Sequence, residues 1–340
     1  MVNSEVNNET NENNAEKAPV IIIRETEASD FNDVSDIFKM EYGMTYANDA
    51  VYDSEKFKEF IGRANVRSIV AVTEDGRIAG HHALKEWTNI PGIYEGGMAV
   101  VNPEIRKCGA FSRMIAENNR YFDEDIRHGV MISCAVTVHD ITQKTRLKNG
   151  FTPCGFMLNV IPPDSTYNYF DNGCARISEA LSIHAAGHSP KTVYAPEDAR
   201  KLIDFVCTRE KLPRTLISDK TEITEEKTVL REYSITEPIS NAVISSIGKD
   251  FDKVLSDIML KLRENKNEVF TLFISIDSPG AALLYETARA YGMHITGYVP
   301  NSGDGDLIIM NLETGNTVEY DKIVTYGPFT DILQMIRELA

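Results

Sequence analysis

The chain is poor in the features that would give it an easy label. Among 340 residues there are only five cysteines (108, 134, 154, 174 and 207) and one tryptophan, Trp87. The cysteines are odd in number and form no C-x-x-C pair, so neither a disulfide framework nor a zinc site is expected, and a reducing, cytoplasmic setting fits. Basic residues are also in deficit. Thirty-five Lys and Arg stand against 51 Asp and Glu, a formal net charge of -16. Nucleic-acid and anionic-membrane binding both need clustered positive charge, so neither is expected. Long apolar runs are missing too, since stretches such as Val20–Ile23 are only strand-length. The first 18 residues hold six Asn, four Glu and a single Lys. They lack the basic start and apolar run of a signal peptide and read as a disordered tail, 1–18.

What remains is ordinary globular composition, 42% hydrophobic and 25% charged. At this length two domains are expected, with one elongated domain as the alternative. Val20–Arg24 reads as a buried strand. Ser29-Asp30 then opens a helix whose apolar positions Phe31, Val34, Ile37 and Phe38 recur at helical spacing. A second amphipathic segment runs from Ser54 to about Ala64. Strands follow at 67–73, 77–86 and 93–101, the first two joined as a hairpin by Glu74-Asp75-Gly76.

The stretch after the third of these strands carries the chemistry. Val101 leads through Asn102-Pro103 into Arg106-Lys107-Cys108-Gly109-Ala110-Phe111, and a helix begins there. A basic, glycine-containing loop feeding a helix N-terminus suits phosphate, because free N–H groups and the helix dipole meet there. The same pattern also occurs in purely structural turns. A strand over 130–136, a helix over 137–149 stopped by Gly150, and a strand from Phe151 through Val160 complete the order β-α-α-β-β-β-loop-α-β-α-β.

On these residues the chain resembles the GNAT family of N-acetyltransferases. Arg106-x-x-Gly109-Ala110 resembles that family's Arg-x-x-Gly-x-Gly/Ala phosphate loop, with Phe111 in place of the final small residue. Lys148-Asn149-Gly150-Phe151 resembles its Gly-Phe ending. The resemblance covers residues 20–162. It implies an α/β (α+β) acyltransferase fold with a mixed sheet flanked by helices, and acetyl-CoA as co-substrate with no metal. It further implies that Arg106, Lys107, Cys108, Gly109, Ala110 and Phe111 meet the pyrophosphate. Met98, Ala99 and Val100 would present backbone groups to the pantetheine arm, with one N–H stabilising the oxyanion.

Glu95, 11 positions before Arg106, is the expected base or water-ordering carboxylate, the alternative being an exposed strand residue. The tyrosine the family often uses as acid is replaced by Arg146. His139 is left as acid or CoA contact, or as a plain helix-start histidine.

The expected organisation is a GNAT domain at 19–163, a connecting segment at 164–190 whose run Ile177–Ala186 is an edge strand or short helix, and a second, non-catalytic GNAT-like domain at 191–340. In that second unit the loop Ser246–Asp250 lacks the Arg-x-x-Gly spacing, and Asp250 would repel a pyrophosphate. The expected activity is acetyl transfer to a primary amine of a small molecule or protein. A non-catalytic acyl-CoA sensor or protein-binding module is the rival, and a homodimer stays open. Whether Phe111 packs beneath its loop or blocks it separates the two readings.

Overall fold

The structure, a computed structural model, describes residues 20–162, 173, 176–218, 222–236, 239–315 and 317–340, with the side chains of 232–236 excepted. The tail expected at 1–18, most of 163–175 and Cys174 lie outside the described residues.

Strand β1 (Ile21–Glu25) leads into α1 (Phe31–Tyr42) and α2 (Ser54–Ile61). In α1 the residues Val34, Ile37 and Phe38 share the buried face that their spacing requires. Helix α2 is capped by Asp53, whose carboxylate accepts from the Glu55 and Lys56 amides at 3.0 Å. Three antiparallel strands follow, β2 (Val66–Thr73), β3 (Ile78–Glu86) and β4 (Ile93–Val101), with Gly76 at φ 85° turning the first hairpin. Then come α3 (Ala110–Tyr121), continued by a π turn through Ile126, and β5 (Val130–Val136), α4 (Ile141–Lys148) and β6 (Thr152–Ile161).

The next strand, β7 (Ile177–Ala185), corrects the expectation of an edge strand or short helix. It lies inside the sheet, antiparallel to β5 on one side and to β6 on the other. All but two of its nine residues are buried, as in a strand covered on both faces, although Ser178, Glu179, Ser182 and His184 interrupt its apolar residues.

The chain continues with β8 (Lys191–Tyr194), α5 (Arg200–Glu210) and β9 (Arg214–Ile217), β8 and β9 forming a small parallel pair. After β10 (Val229–Thr236) come β11 (Ile239–Ser246), α6 (Phe251–Glu264), β12 (Val269–Ser275), α7 (Ala281–Ala290), β13 (His294–Ser302), β14 (Gly305–Glu313) and α8 (Pro328–Leu339). The fold is therefore mixed α/β. Its main sheet has twelve strands in the order β1-β2-β3-β4-β5-β7-β6-β13-β14-β12-β11-β10.

That order repeats itself in reverse about the β6–β13 junction. Strand β4 is parallel to β5, which is antiparallel to β7; likewise β11 is parallel to β12, which is antiparallel to β14. The two halves meet where Gly155 of β6 opposes Gly297 of β13. A Cβ on Gly155 would lie 2.4 Å from the Gly297 Cα and 2.5 Å from the Thr296 carbonyl oxygen, so the join depends on glycine. One large core runs through it, from Ile132, Leu181 and Ile183 to Phe273, Met310 and Ile336. No described helix is long and apolar enough to cross a membrane.

Candidate active site

Strands β4 and β5 pair over only three positions, Ile93 with Val130, Tyr94 with Met131 and Glu95 with Ile132. Beyond Glu95 the two strands part. β4 stays with β3 to Val101, and β5 stays with β7 to Val136. The sheet therefore opens a wedge with Glu95 at its apex. In the other half, β11 and β12 stay paired over six positions.

Local sequence explains the parting. β4 carries Gly96-Gly97, and the β3–β4 register slips between His81 and Ala83, whose partners are Val100 and Gly97. The residue thrown out is Met98, at φ 46°, a conformation an L residue adopts only when held there. His81 holds it. This fully buried ring donates from Nδ1 to the Met98 carbonyl at 2.9 Å, and its Nε2 lies 2.8 Å from Ser68 Oγ. Burial pushes its pKa down to about 4, so the ring is neutral at physiological pH.

At the open end of the wedge stands the loop from Arg106 to Phe111. Lys107 and Gly109 take φ of 70° and 81°, and Gly109 is the N-cap of α3 with no side chain capping the helix amides. Arg106, Lys107 and Gly109 are exposed, whereas Cys108 and Ala110 turn into the core beside Ile105 and Met114. Phe111, partly buried, packs with Leu84, Tyr94, Ile115 and Phe122. Arg106 is ion-paired with Glu41 of α1. Met98 and Ala99 are partly exposed on the wedge edge, and Val100 is buried.

Glu95 accepts from Trp87 Nε1 at 2.9 Å and lies 3.9 Å from Lys85 Nζ. Trp87 in turn packs edge-on against Phe273, tying the apex to the second half. Beyond the end of β5, His139 Nδ1 accepts from the Ile141 amide at 3.3 Å, which makes it a helix-start cap. Burial lowers its pKa, and the accepting Nδ1 leaves Nε2 as the protonated nitrogen.

Two further residues stand near the wedge: Arg146, which the sequence marks only as the replacement of a tyrosine, and Glu179, which it does not mark at all. Arg146, 1% exposed, donates from Nη2 to the Gly96 carbonyl at 2.8 Å, a group β5 would bond in an unbroken sheet, and that Nη2 lies 3.1 Å from His82 Nε2. Its Nε and Nη1 have no partner. Burial lowers its pKa to about 10, so it keeps its charge. A Cβ on Gly96 would crowd the guanidinium at 3.2 Å, which explains that glycine.

The other is Glu179 of β7, which opposes Val136. Pairing across β4, β5 and β7 puts Glu95, Ile132, Cys134 and Glu179 on one face of the sheet. Burial, and then the charge of Glu95, push the Glu179 carboxyl up to about 8. It therefore holds its proton at neutral pH. The Cys134 thiol is pushed well above its usual range by burial and carries no nucleophilic thiolate. Among the described residues no group of three or more His, Cys, Asp or Glu could hold a metal.

No protein-family model matches the chain, and no curated protein matches it. Solved structures similar to about half of it include acetyltransferases. A spermidine N-acetyltransferase from Vibrio cholerae is 14% identical, covering 48% of this chain and 93% of its own, with a TM-score of 0.41. A ribosomal-protein-alanine N-acetyltransferase from Brucella melitensis is 17% identical over 48% and 99%, TM-score 0.40. A GNAT-family acetyltransferase from Bacillus anthracis is 18% identical over 50% and 96%, TM-score 0.38. Likeness at this level names no substrate, and a functional reading has to rest on this chain's own residues.

Proposed function

We propose that the chain is an acetyl-CoA-dependent N-acetyltransferase whose site is the wedge between β4 and β5. The observation that carries this reading is the early end of β4–β5 pairing at Glu95 and Ile132, combined with the outward bulge at Met98. Unpaired backbone along an opened strand is what an extended, amide-bearing arm can bond as if it were an added strand. The exposed Arg106, Lys107 and Gly109 and the uncapped amides of α3 suit a pyrophosphate. The packing of Phe111 against Leu84, Tyr94, Ile115 and Phe122 supports a loop whose phosphate position that ring leaves open.

Acetyl-CoA would supply an activated thioester acyl group. The chain's own part is positioning and proton transfer. The backbone about Met98 and Ala99 is held by the neutral His81 and offers hydrogen bonds at the wedge edge. Glu95, held in place by Trp87, would take the proton an acceptor amine must lose, directly or through water. Glu179 keeps a proton on the same face and could give it to the departing CoA thiolate, while Glu95 holds the proton taken from the amine. Arg146, a buried cation beside the wedge, would favour a leaving thiolate through its charge rather than by giving it a proton as a tyrosine would. The acceptor is an amine of a small molecule or a protein, and the compartment reducing. The half from 191 onward is read as non-catalytic, since its parallel strands stay paired for twice as many positions.

Calorimetric titration of acetyl-CoA tests the reading. Micromolar binding by the wild type, weakened at least tenfold in an Arg106→Ala, Gly109→Asp variant, is expected. No binding by the folded wild type would sink it. A second reading, acyl-CoA binding without turnover, draws on Arg146 lying across the wedge at Gly96. It would be favoured if binding persists but no acceptor amine is acetylated at a rate that Glu95→Gln lowers.

A further inference from the structure

Helix α4 is held in place by polar groups. Its buried residues are Gln143 and Arg146, while Ile141 is 52% exposed and Leu147 is only partly covered. A helix of eight residues is marginal in water without an apolar face to bury, so side-chain hydrogen bonds must fix where it lies.

Gln143 supplies two of them, and its partners come from the far end of the chain. The fully buried amide donates from Nε2 to the Val324 carbonyl at 2.8 Å, and its Oε1 accepts from the Tyr326 amide at 2.9 Å. The Val324 amide donates to the Thr137 carbonyl at 2.8 Å, just past the end of β5. Lys144 Nζ lies 4.8 Å from the centroid of the Tyr326 ring. Residues 324–326 therefore clasp the corner between β5 and α4, immediately before α8, whose Phe329 and Ile336 belong to the large core. A side-chain amide bonded at both ends to backbone admits one orientation, so the clasp has one register.

One turn on from Gln143, Arg146 is a buried cation whose hydrogen bonds go to neutral groups, the Gly96 carbonyl and His82. Burying a charge beside neutral partners is costly, and a loose α4 would let the guanidinium turn toward water.

We propose that the segment 324–326 is a positioning element for the wedge: through Gln143 it holds Arg146 at Gly96, so that the half from 191 onward completes the site of the first. The proposal rests on the acetyltransferase reading, in which the charge of Arg146 favours a CoA thiolate.

The full chain is titrated calorimetrically with CoA and with acetyl-CoA at a pH of about 8.5, where a free thiol is close to half ionised. Only CoA can present a thiolate to Arg146, so the ratio of the two affinities reads the position of that charge. Acetyl-CoA alone reads the loop and the wedge edge. Gln143→Ala should lower the preference for CoA about threefold or more and change acetyl-CoA affinity by less than about twofold. Tyr326→Pro removes the donating amide from the other side of the clasp. It should act likewise, and it decides the matter if the first variant fails to fold. Arg146→Met should lower the ratio as far, and adding Gln143→Ala to it should lower it no further. Lys201→Ala, which cuts an ion pair with Glu338 outside the clasp, should leave both affinities unchanged. An unmoved ratio in the folded clasp variants, or a parallel loss of both affinities, would overturn the proposal and leave the wedge reading standing. Failure of the folded wild type to bind acetyl-CoA would overturn both.

Discussion

The paired carboxyls of the wedge give the sharpest test, through Glu179→Gln. In the fold this group is carried from an ordinary value of 4.5 to about 8. The folded state therefore holds the proton more tightly than the unfolded one. Stability is fully present below pH 4.5 and is lost as pH rises through about 8. At about 1.36 kcal/mol per pH unit, the whole difference is an upper bound of about 5 kcal/mol, roughly half of it falling between pH 6 and 9. Glu179 is partly exposed, and solvent screening reduces the loss in that window to about 1–2 kcal/mol. Urea unfolding at pH 6 and pH 9 should show the wild type losing that much more than Glu179→Gln. The charge of Glu95 adds to the rise, so Glu95→Gln should move the loss to lower pH. Equal pH dependence in the wild type and Glu179→Gln would refute the argument. So would an unchanged profile in Glu95→Gln.

Two further outcomes concern the second half and the join. Gly155→Ala forces a Cβ into backbone 2.4 Å away and should cost about 3 kcal/mol by urea unfolding; a cost under about 0.5 kcal/mol would mean that the strands separate freely. Asp306, fully buried, accepts from Arg214 Nε at 2.6 Å and from the Asn301 amide at 3.1 Å. Asp306→Ala strands the buried Arg214 and should cost about 3–5 kcal/mol at neutral pH. Because the Asp306 pKa is lowered in the fold, that advantage is present above the ordinary carboxylate range and fades as pH falls through the lowered value, so wild type and variant should converge in acid.

How much of the molecule is readable in the sequence differs by element. Helices α1, α3 and α6 announce themselves because their apolar residues repeat at helical spacing, a local property. The phosphate-type loop is readable because Gly109 and its basic neighbours are contiguous. Strand β7 is not, since its five apolar residues, interrupted by Ser178, Glu179, Ser182 and His184, do not say which strands flank it; that is decided by β5 and β6. Glu179 is hidden with it. The bulge at Met98 is equally hidden, because methionine gives no sign of a positive φ; it is imposed by His81 across the hairpin. Strands β8 and β9, four residues each, are too short to show a period.

The glycine-to-glycine join also sets a schedule. Strand β6 ends at Ile161, and its outer neighbour β13 begins at His294. During synthesis at roughly 5–20 residues per second, the outer rim of β6 would wait on the order of ten seconds for its partner. Through that interval the first half presents an uncovered strand edge, the feature that makes nascent chains pair with the wrong neighbour. Slower translation across the second half would lengthen the exposure, so the yield of folded chain should respond to elongation rate as well as to stability.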